Sequence, residues 1–129
     1  MIVVDSSVWI GKLRGETGPA VAKLDQILDP TTVIVGDLVL FEILQGARDE
    51  RHAERIAKAL GVFTTMSMTN PRIATAAAGY SRTLREKGVT IRKSIDLLIA
   101  SFCLDRDYAL LHQDRDFDLI AQHLPLALA

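Results

Sequence analysis

The stretch Ile2-Val3-Val4-Asp5-Ser6-Ser7-Val8-Trp9-Ile10 decides how this chain is read. Its opening is a short β-branched run, the composition of a parallel strand buried on both faces. The run stops at Asp5. Asp5 or Ser6 is suited to cap a helix that continues to Leu13 and ends at Gly15. A strand that feeds directly into a helix is the first half of a βαβ unit, and the remainder of the chain repeats the pattern.

Beyond Gly18-Pro19, the residues Val21, Leu24 and Leu28 predict a helical stripe stopped by Pro30. Thr32 to Val35 predicts a second strand, followed by a helix capped by Asp37 that runs to about Gln45. From Asp49 to Leu60, Ala53, Ile56, Ala57 and Leu60 fall on one helical face and Arg51, Glu54, Arg55 and Lys58 on the other. Val62 to Met66 is a third strand. Asn70-Pro71 is a cap with proline at the first helical position, opening a helix that lasts until Gly88. Ser94 caps an apolar helix from Ile95 to about Arg106. Ala109 to His112 is a strand, Asp116 to Gln122 a short helix, and Leu126 to Leu128 a last short strand. The alternation predicts an α/β fold, a parallel sheet with helices on both faces.

Composition bounds the function. A chain of 129 residues is expected to form one domain. With 49% hydrophobic and 24% charged residues it reads as globular rather than disordered. No apolar run approaches the roughly 20 residues of a membrane span, and the N-terminus has no secretory signal pattern, so the cytoplasm is the expected location. Cys103 is the one cysteine, which excludes an internal disulfide, and its apolar surroundings predict a core residue. The net charge of -1 is not the footprint of a basic nucleic-acid binder, although fifteen Lys and Arg against sixteen Asp and Glu can still segregate into patches.

Asp5, Glu42, Asp96 and Asp114 each adjoin an apolar run, where a charge is costly unless compensated. Sites in open parallel sheets form beyond the carboxyl ends of the strands. Asp5 directly follows the first predicted strand and Asp114 lies just past the fourth. Glu42 is about a turn and a half into the helix after the second strand, and Asp96 is in the first turn of its own helix. Taken singly, Asp5 reads equally well as a helix cap and Asp96 as a first-turn acid favoured by the helix dipole, and Asp114 reads better as a turn residue. Glu42 interrupts Leu38 to Leu44 and is harder to assign to the surface. Carboxylates gathered at the edge of a core, with no basic residues beside them, suggest a hard divalent cation. Two of them ~5 Å apart repel by roughly 3 kcal/mol at an effective dielectric of ~20. Oxygen-only ligands favour Mg²⁺ or Mn²⁺, and His52, His112 and His123 have no zinc-ligand spacing.

These segments, together, resemble the PIN-domain ribonucleases, and specifically the VapC-type toxins of bacterial toxin–antitoxin pairs. The opening Ile2 to Ile10 is similar to the family's first motif. Leu40-Phe41-Glu42-Ile43 is similar to the helix that carries its glutamate, Ser94-Ile95-Asp96-Leu97-Leu98-Ile99-Ala100 to its third acidic motif, and Leu110-Leu111-His112-Gln113-Asp114-Arg115-Asp116-Phe117 to its fourth. The resemblance spans almost the full length. It implies a PIN-like three-layer α/β/α sandwich and endonucleolytic cleavage of RNA, with Mg²⁺ or Mn²⁺ held by Asp5, Glu42, Asp96 and Asp114. Asp116 and Asp118 are the candidates for an outer or second-metal ligand. It also implies a VapB-like antitoxin as partner, lying across the first helices and presenting an arginine to the acid pocket, and a homodimer.

Holding RNA needs cations or stacking surfaces. Arg82, Arg85, Lys87, Arg92 and Lys93 form the densest basic stretch and lead straight to Asp96. Arg85, Arg92 and Lys93 are the expected phosphate contacts, against a solvated helix face as the plain alternative. Ser7 or Ser6 is expected to meet a ligand carboxylate or the scissile phosphate, with helix capping as the alternative. Trp9 either stacks on a base or packs between helices. The apolar faces around Trp9, Val21 and Leu44 are candidate docking surfaces. Other readings fit less well. A second Asp two positions after Asp5, as a haloacid-dehalogenase-type phosphatase wants, is replaced by Ser7. No glycine-rich dinucleotide loop follows the first strand. A non-catalytic module on the same fold and a DNA-directed nuclease of related fold remain as alternatives.

Overall fold

A computed structural model describes residues Met1–Ala129. Strand β1 (Ile2–Val4) runs into helix α1 (Ser6–Leu13), followed by α2 (Pro19–Asp25), a single 3-10 turn at Pro30–Thr32 and strand β2 (Val33–Gly36). Helices α3 (Asp37–Gln45) and α4 (Glu50–Leu60) lead to β3 (Thr64–Met66). The long α5 (Pro71–Glu86) and α6 (Ser94–Arg106) precede β4 (Ala109–Leu111), and α7 (Arg115–His123) comes last. All pairings are parallel and the strand order is β3-β2-β1-β4. The chain therefore builds outward from β1 to β3, then returns to add β4 on the other side of β1. Right-handed crossovers make that reversal place α5 and α6 on the face opposite α1 to α4, which gives the α/β/α layering. None of the helices is long and apolar enough to cross a membrane.

Strands β1 and β2 are almost wholly interior. Val3, Val4, Val33, Ile34 and Val35 have no exposure, so β1 and β2 read as continuous apolar runs instead of alternating ones. The edge strand β3 is two threonines and a half-buried Met66, and at 3 residues it offers only a short template for pairing with another chain. At the other edge the C-terminal segment bonds to β4: Leu110 N–H donates to Ala127 O at 2.9 Å and Ala129 N–H to Leu110 O at 2.8 Å. This is an isolated bridge at Leu128, where the sequence predicted a strand from Leu126.

Other boundaries moved for local reasons. Helix α2 stops at Asp25, and Leu28, predicted on its buried stripe, is 95% exposed. Gly36 caps α3 in place of Asp37, whose Oδ1 instead accepts from Met68 N–H at 2.9 Å and ties β3's exit to the helix. Trp9 is core: 2% exposed, with its ring 5.0 Å from that of Phe63, so it offers no face to an RNA base. Val21 is likewise buried, which removes both residues as docking surfaces. Cys103 is buried, and desolvation pushes its thiol up to about 12, so it is chemically quiet.

Gly36 is required by packing. A methyl group added there would overlap the Met68 side chain from Cγ to Cε, which is fully buried and follows a backbone fixed by the Met68 N–H bond to Asp37. Gly36→Ala is expected to destabilise the fold by about 1–3 kcal/mol, the usual range for overpacking. A urea midpoint within error of wild type would show that Met68 has room to leave.

Candidate active site

The strand order reverses between β1 and β4, and that is where a crevice opens beyond the strand ends. Asp5 follows β1 and its N–H donates to Leu111 O of β4 at 2.9 Å, so the two strand exits are stitched together at the crevice floor. Asp114 follows β4 as the N-cap of α7. Asp96 enters from the first turn of α6 and Glu42 from the middle of α3.

Asp5 and Asp114 show how capping and site formation coexist. The Asp5 Oδ2 atom accepts from Ser7 N–H at 3.0 Å and from Ser7 Oγ at 2.6 Å, capping α1, while its Oδ1 is buried with no partner. The Asp114 Oδ1 atom accepts from Asp116 N–H at 3.0 Å, capping α7, and Oδ2 faces the crevice 3.7 Å from Lys93 Nζ. Each cap uses one oxygen for the backbone and keeps the other.

The tightest group is Asp96, Asp114 and Asp116, whose carboxylates each place an oxygen within 4.8 Å of the others. Asp96 is 1% exposed and Asp116 4%, and Oδ2 of each is buried without a hydrogen bond. Burial pushes the Asp96 carboxyl up to about 7; Lys93 opposes the shift, and Asp5, Asp114 and Glu42 add to it by repulsion. Glu42 is also raised, first by desolvation and then by Asp5. It is steadied by Ser6 Oγ, which donates to its Oε1 at 3.1 Å. The five carboxylates thus share one field, with Asp5 and Glu42 beside the trio.

Asp118, a candidate from the sequence, is exposed and turned away, with His112 Nε2 3.3 Å from its Oδ1. His112 is consumed on its other side as well, since Asp114 N–H donates to its Nδ1 at 3.1 Å. Ser7 gives its single hydroxyl proton to Asp5 and accepts from Gln113 N–H at 3.2 Å, so its role is to orient a carboxylate. Arg85 stands on the last turn of α5 beside Val89–Ile91 and forms no ion pair. Arg92 and Lys93, in contrast, reach the acids. Arg92 Nε is 3.9 Å from Asp116 Oδ2, and Lys93 Nζ is 3.8 Å from Asp96 Oδ2. The expectation of acids with no base beside them is corrected by these two side chains, and Asp116 sits deeper than its place as an optional extra implied. An Asp two residues after a cap and next to a core Phe117 was the available signal.

A PIN-domain model matches residues 2–122 of this sequence. The chain belongs to the PIN domain family. Its relatives among PIN domains include Ribonuclease VapC51 of Mycobacterium tuberculosis, 32% identical over 120 residues that cover 92% of this chain and 84% of that protein. Ribonuclease VapC11 of the same organism is 27% identical over 124 residues, covering 95% of this chain and 92% of that one. Among solved structures, VapBC2 from Rickettsia felis, crystallised with a DNA fragment from its promoter, superposes with a TM-score of 0.80. At 17% identity, and with 100% of this chain and 98% of that one covered, it shows that the PIN fold is shared.

Proposed function

We propose that this PIN domain is a Mg²⁺- or Mn²⁺-dependent endoribonuclease that hydrolyses RNA phosphodiester bonds and acts in the cytoplasm as the toxin of a toxin–antitoxin pair. The observation that carries the reading is the set of buried carboxylate oxygens with no hydrogen bond, Asp5 Oδ1, Asp96 Oδ2 and Asp116 Oδ2, at one crevice. Buried anionic oxygens that accept no hydrogen bond are costly, the rim cations Arg92 and Lys93 at 3.9 and 3.8 Å offset that cost only by charge, and an all-oxygen donor set fits a hard divalent cation. Asp5, Glu42, Asp96, Asp114 and Asp116 would hold it, directly or through water. When bound, such an ion polarises the phosphoryl group, lowers the pKa of a water and stabilises the leaving oxygen.

The chain's own residues supply position and proton handling. Ser7 fixes Asp5 and Ser6 fixes Glu42, so two carboxylates arrive pre-oriented. Glu42 Oε2 accepts no hydrogen bond within the protein and its carboxyl is raised, which suits it to hold a proton from the attacking water. Arg92 and Lys93 stand at the rim, where RNA phosphates would arrive. Arg85 is a more distant phosphate contact on the same basic stretch.

The VapC-type relatives extend the reading to partners. A VapB-like antitoxin would use the cleft of about 320 Å³ between α1, α3 and α4, walled by Ile10, Leu13, Ile43 and Ile56 and rimmed by Arg14 and Arg48. Apolar walls with a basic rim suit an amphipathic, acidic segment. A second copy of the chain is the other expected partner, to be read from its mass in solution.

The test is direct. The purified chain is expected to cleave RNA and not DNA, with activity abolished by EDTA and restored by Mg²⁺ or Mn²⁺. Millimolar metal should raise the melting temperature, since binding to the folded state alone adds about 2.7 kcal/mol at 100-fold excess over Kd. Cleavage that persists in EDTA, or no melting shift with either ion, would end the metal-nuclease reading.

A further inference from the structure

Gly88, with a φ of 75°, turns the chain out of α5, and the connection to α6 carries Arg92 and Lys93. Both side chains are largely solvent-exposed, 75% and 57%, yet both direct their charge at the buried trio. Lys93 Nζ lies 3.8 Å from Asp96 Oδ2 and 3.7 Å from Asp114 Oδ2. These are ion-pair distances too long for hydrogen bonds, so the ammonium is held by charge and not by directional contacts.

Lys93 is also the N-cap residue of α6, and its side chain makes no capping bond. A cation at the positive end of a helix dipole, in a position that favours Ser, Thr, Asp or Asn, works against the helix. Helix stability therefore gives no reason for a lysine at this position. The acid pocket does.

We infer that Lys93, with Arg92 beside it, is the built-in counter-ion of the acid pocket and competes with the divalent cation for Asp96 and Asp114. This rests on the metal-nuclease reading. A divalent ion among the trio would put like charge within a few ångströms of Nζ, and the ammonium has to leave. Its departure disturbs no core packing, because the side chain is already mostly in water. Released at the rim, the same charge becomes available to an RNA phosphate. Metal loading thereby converts an internal partner of the acids into a substrate contact, and metal and RNA binding become linked through one residue.

The experiment compares wild type, Lys93→Gln and Lys93→Arg by melting in EDTA and by calorimetric titration with Mn²⁺. Lys93→Gln is expected to melt several degrees lower in EDTA, because the acids lose their partner. It should bind Mn²⁺ about three- to tenfold more tightly, because the competitor is gone. Lys93→Arg should track wild type in both. If position 93 mattered only to α6, removing the cation from the helix N-terminus would raise the melting temperature, the opposite sign. Unchanged or weaker Mn²⁺ binding by Lys93→Gln, with wild type binding normally, would overturn the inference alone. Absence of Mn²⁺ binding by wild type would overturn the metal-nuclease reading and this inference with it.

Discussion

Asp96→Asn is expected to lose RNA cleavage by about 10²–10³-fold or more, the scale of removing one group that stabilises transition-state charge, while melting higher than wild type in EDTA at pH 8. Asp96 is 1% exposed and its carboxyl is pushed up to about 7, chiefly by burial, so at pH 8 its ionised form is forced on the fold. Asparagine keeps the shape and removes the charge. The amide can also donate to Asp114 or Asp116, whose oxygens lie within 4.8 Å of those of Asp96. The gain is on the order of 2–4 kcal/mol, from the linkage between a raised carboxyl and stability, in which the attraction to Lys93 is already included. Adding Mg²⁺ should reverse the ranking, since wild type gains binding energy that the variant lacks. Steady-state cleavage, circular dichroism and melting curves with and without metal check each clause. A variant as active as wild type would remove Asp96 from the chemistry. A variant that melts lower in EDTA would contradict the charge strain.

Without metal, stability is expected to fall as pH rises from 5 to 8. The folded Asp96 carboxyl holds its proton up to about 7, whereas the unfolded one releases it near 3.8. Between those values the native state carries more protons, so each step upward in pH favours unfolding. The contribution is complete below the unfolded value and gone once pH has passed the folded one. Glu42, raised from 4.5 by desolvation and by Asp5, acts in the same direction. Asp29, lowered by its bonds to Thr31, acts only below this window. The summed loss is on the order of a few kcal/mol. Mg²⁺ should flatten the profile, because the cation favours the ionised carboxylates, and its stabilising effect should be larger at pH 8 than at pH 5. Urea midpoints at three pH values, with EDTA and with Mg²⁺, measure both slopes. Stability in EDTA that rises across the interval would refute the account.

The two results would together separate folding from function in this pocket. The same buried carboxylates that strain the metal-free chain are the ones expected to hold the ion. Marginal domains are stable by only about 5–15 kcal/mol, so strain of this size is affordable but measurable. The Gly36→Ala variant provides a control elsewhere in the fold. Its cost comes from overlap with Met68 and should not respond to metal beyond the overall shift.

Most of the fold was legible in the sequence, since β1 and β2 are unbroken β-branched runs and the helices carry apolar stripes with recognisable caps at Asp5 and Asn70, while the caps expected at Asp37 and Ser94 fall one residue earlier, at Gly36 and Lys93. Errors fell at boundaries such as Leu28 and Val62, where a side chain of the right type lies one turn or two residues past the last residue the core can cover. Trp9 leaned toward packing between helices in the sequence, since an aromatic ring beside a motif more often packs than stacks on a base, and its burial and contact with Phe63 decide for packing.

By itself the sequence determined the α/β class, the parallel pairing and the acids that follow strands, because these depend on local periodicity and on residue type. Tertiary structure alone decided the strand order β3-β2-β1-β4, which sets where the crevice lies, and the choice of Asp116 over Asp118 as the third member of the trio. It also decided that Lys93 Nζ faces Asp96 and Asp114. Those outcomes depend on distances between segments remote along the chain, and Coulomb energy depends on separation in space, on which the order of residues is silent.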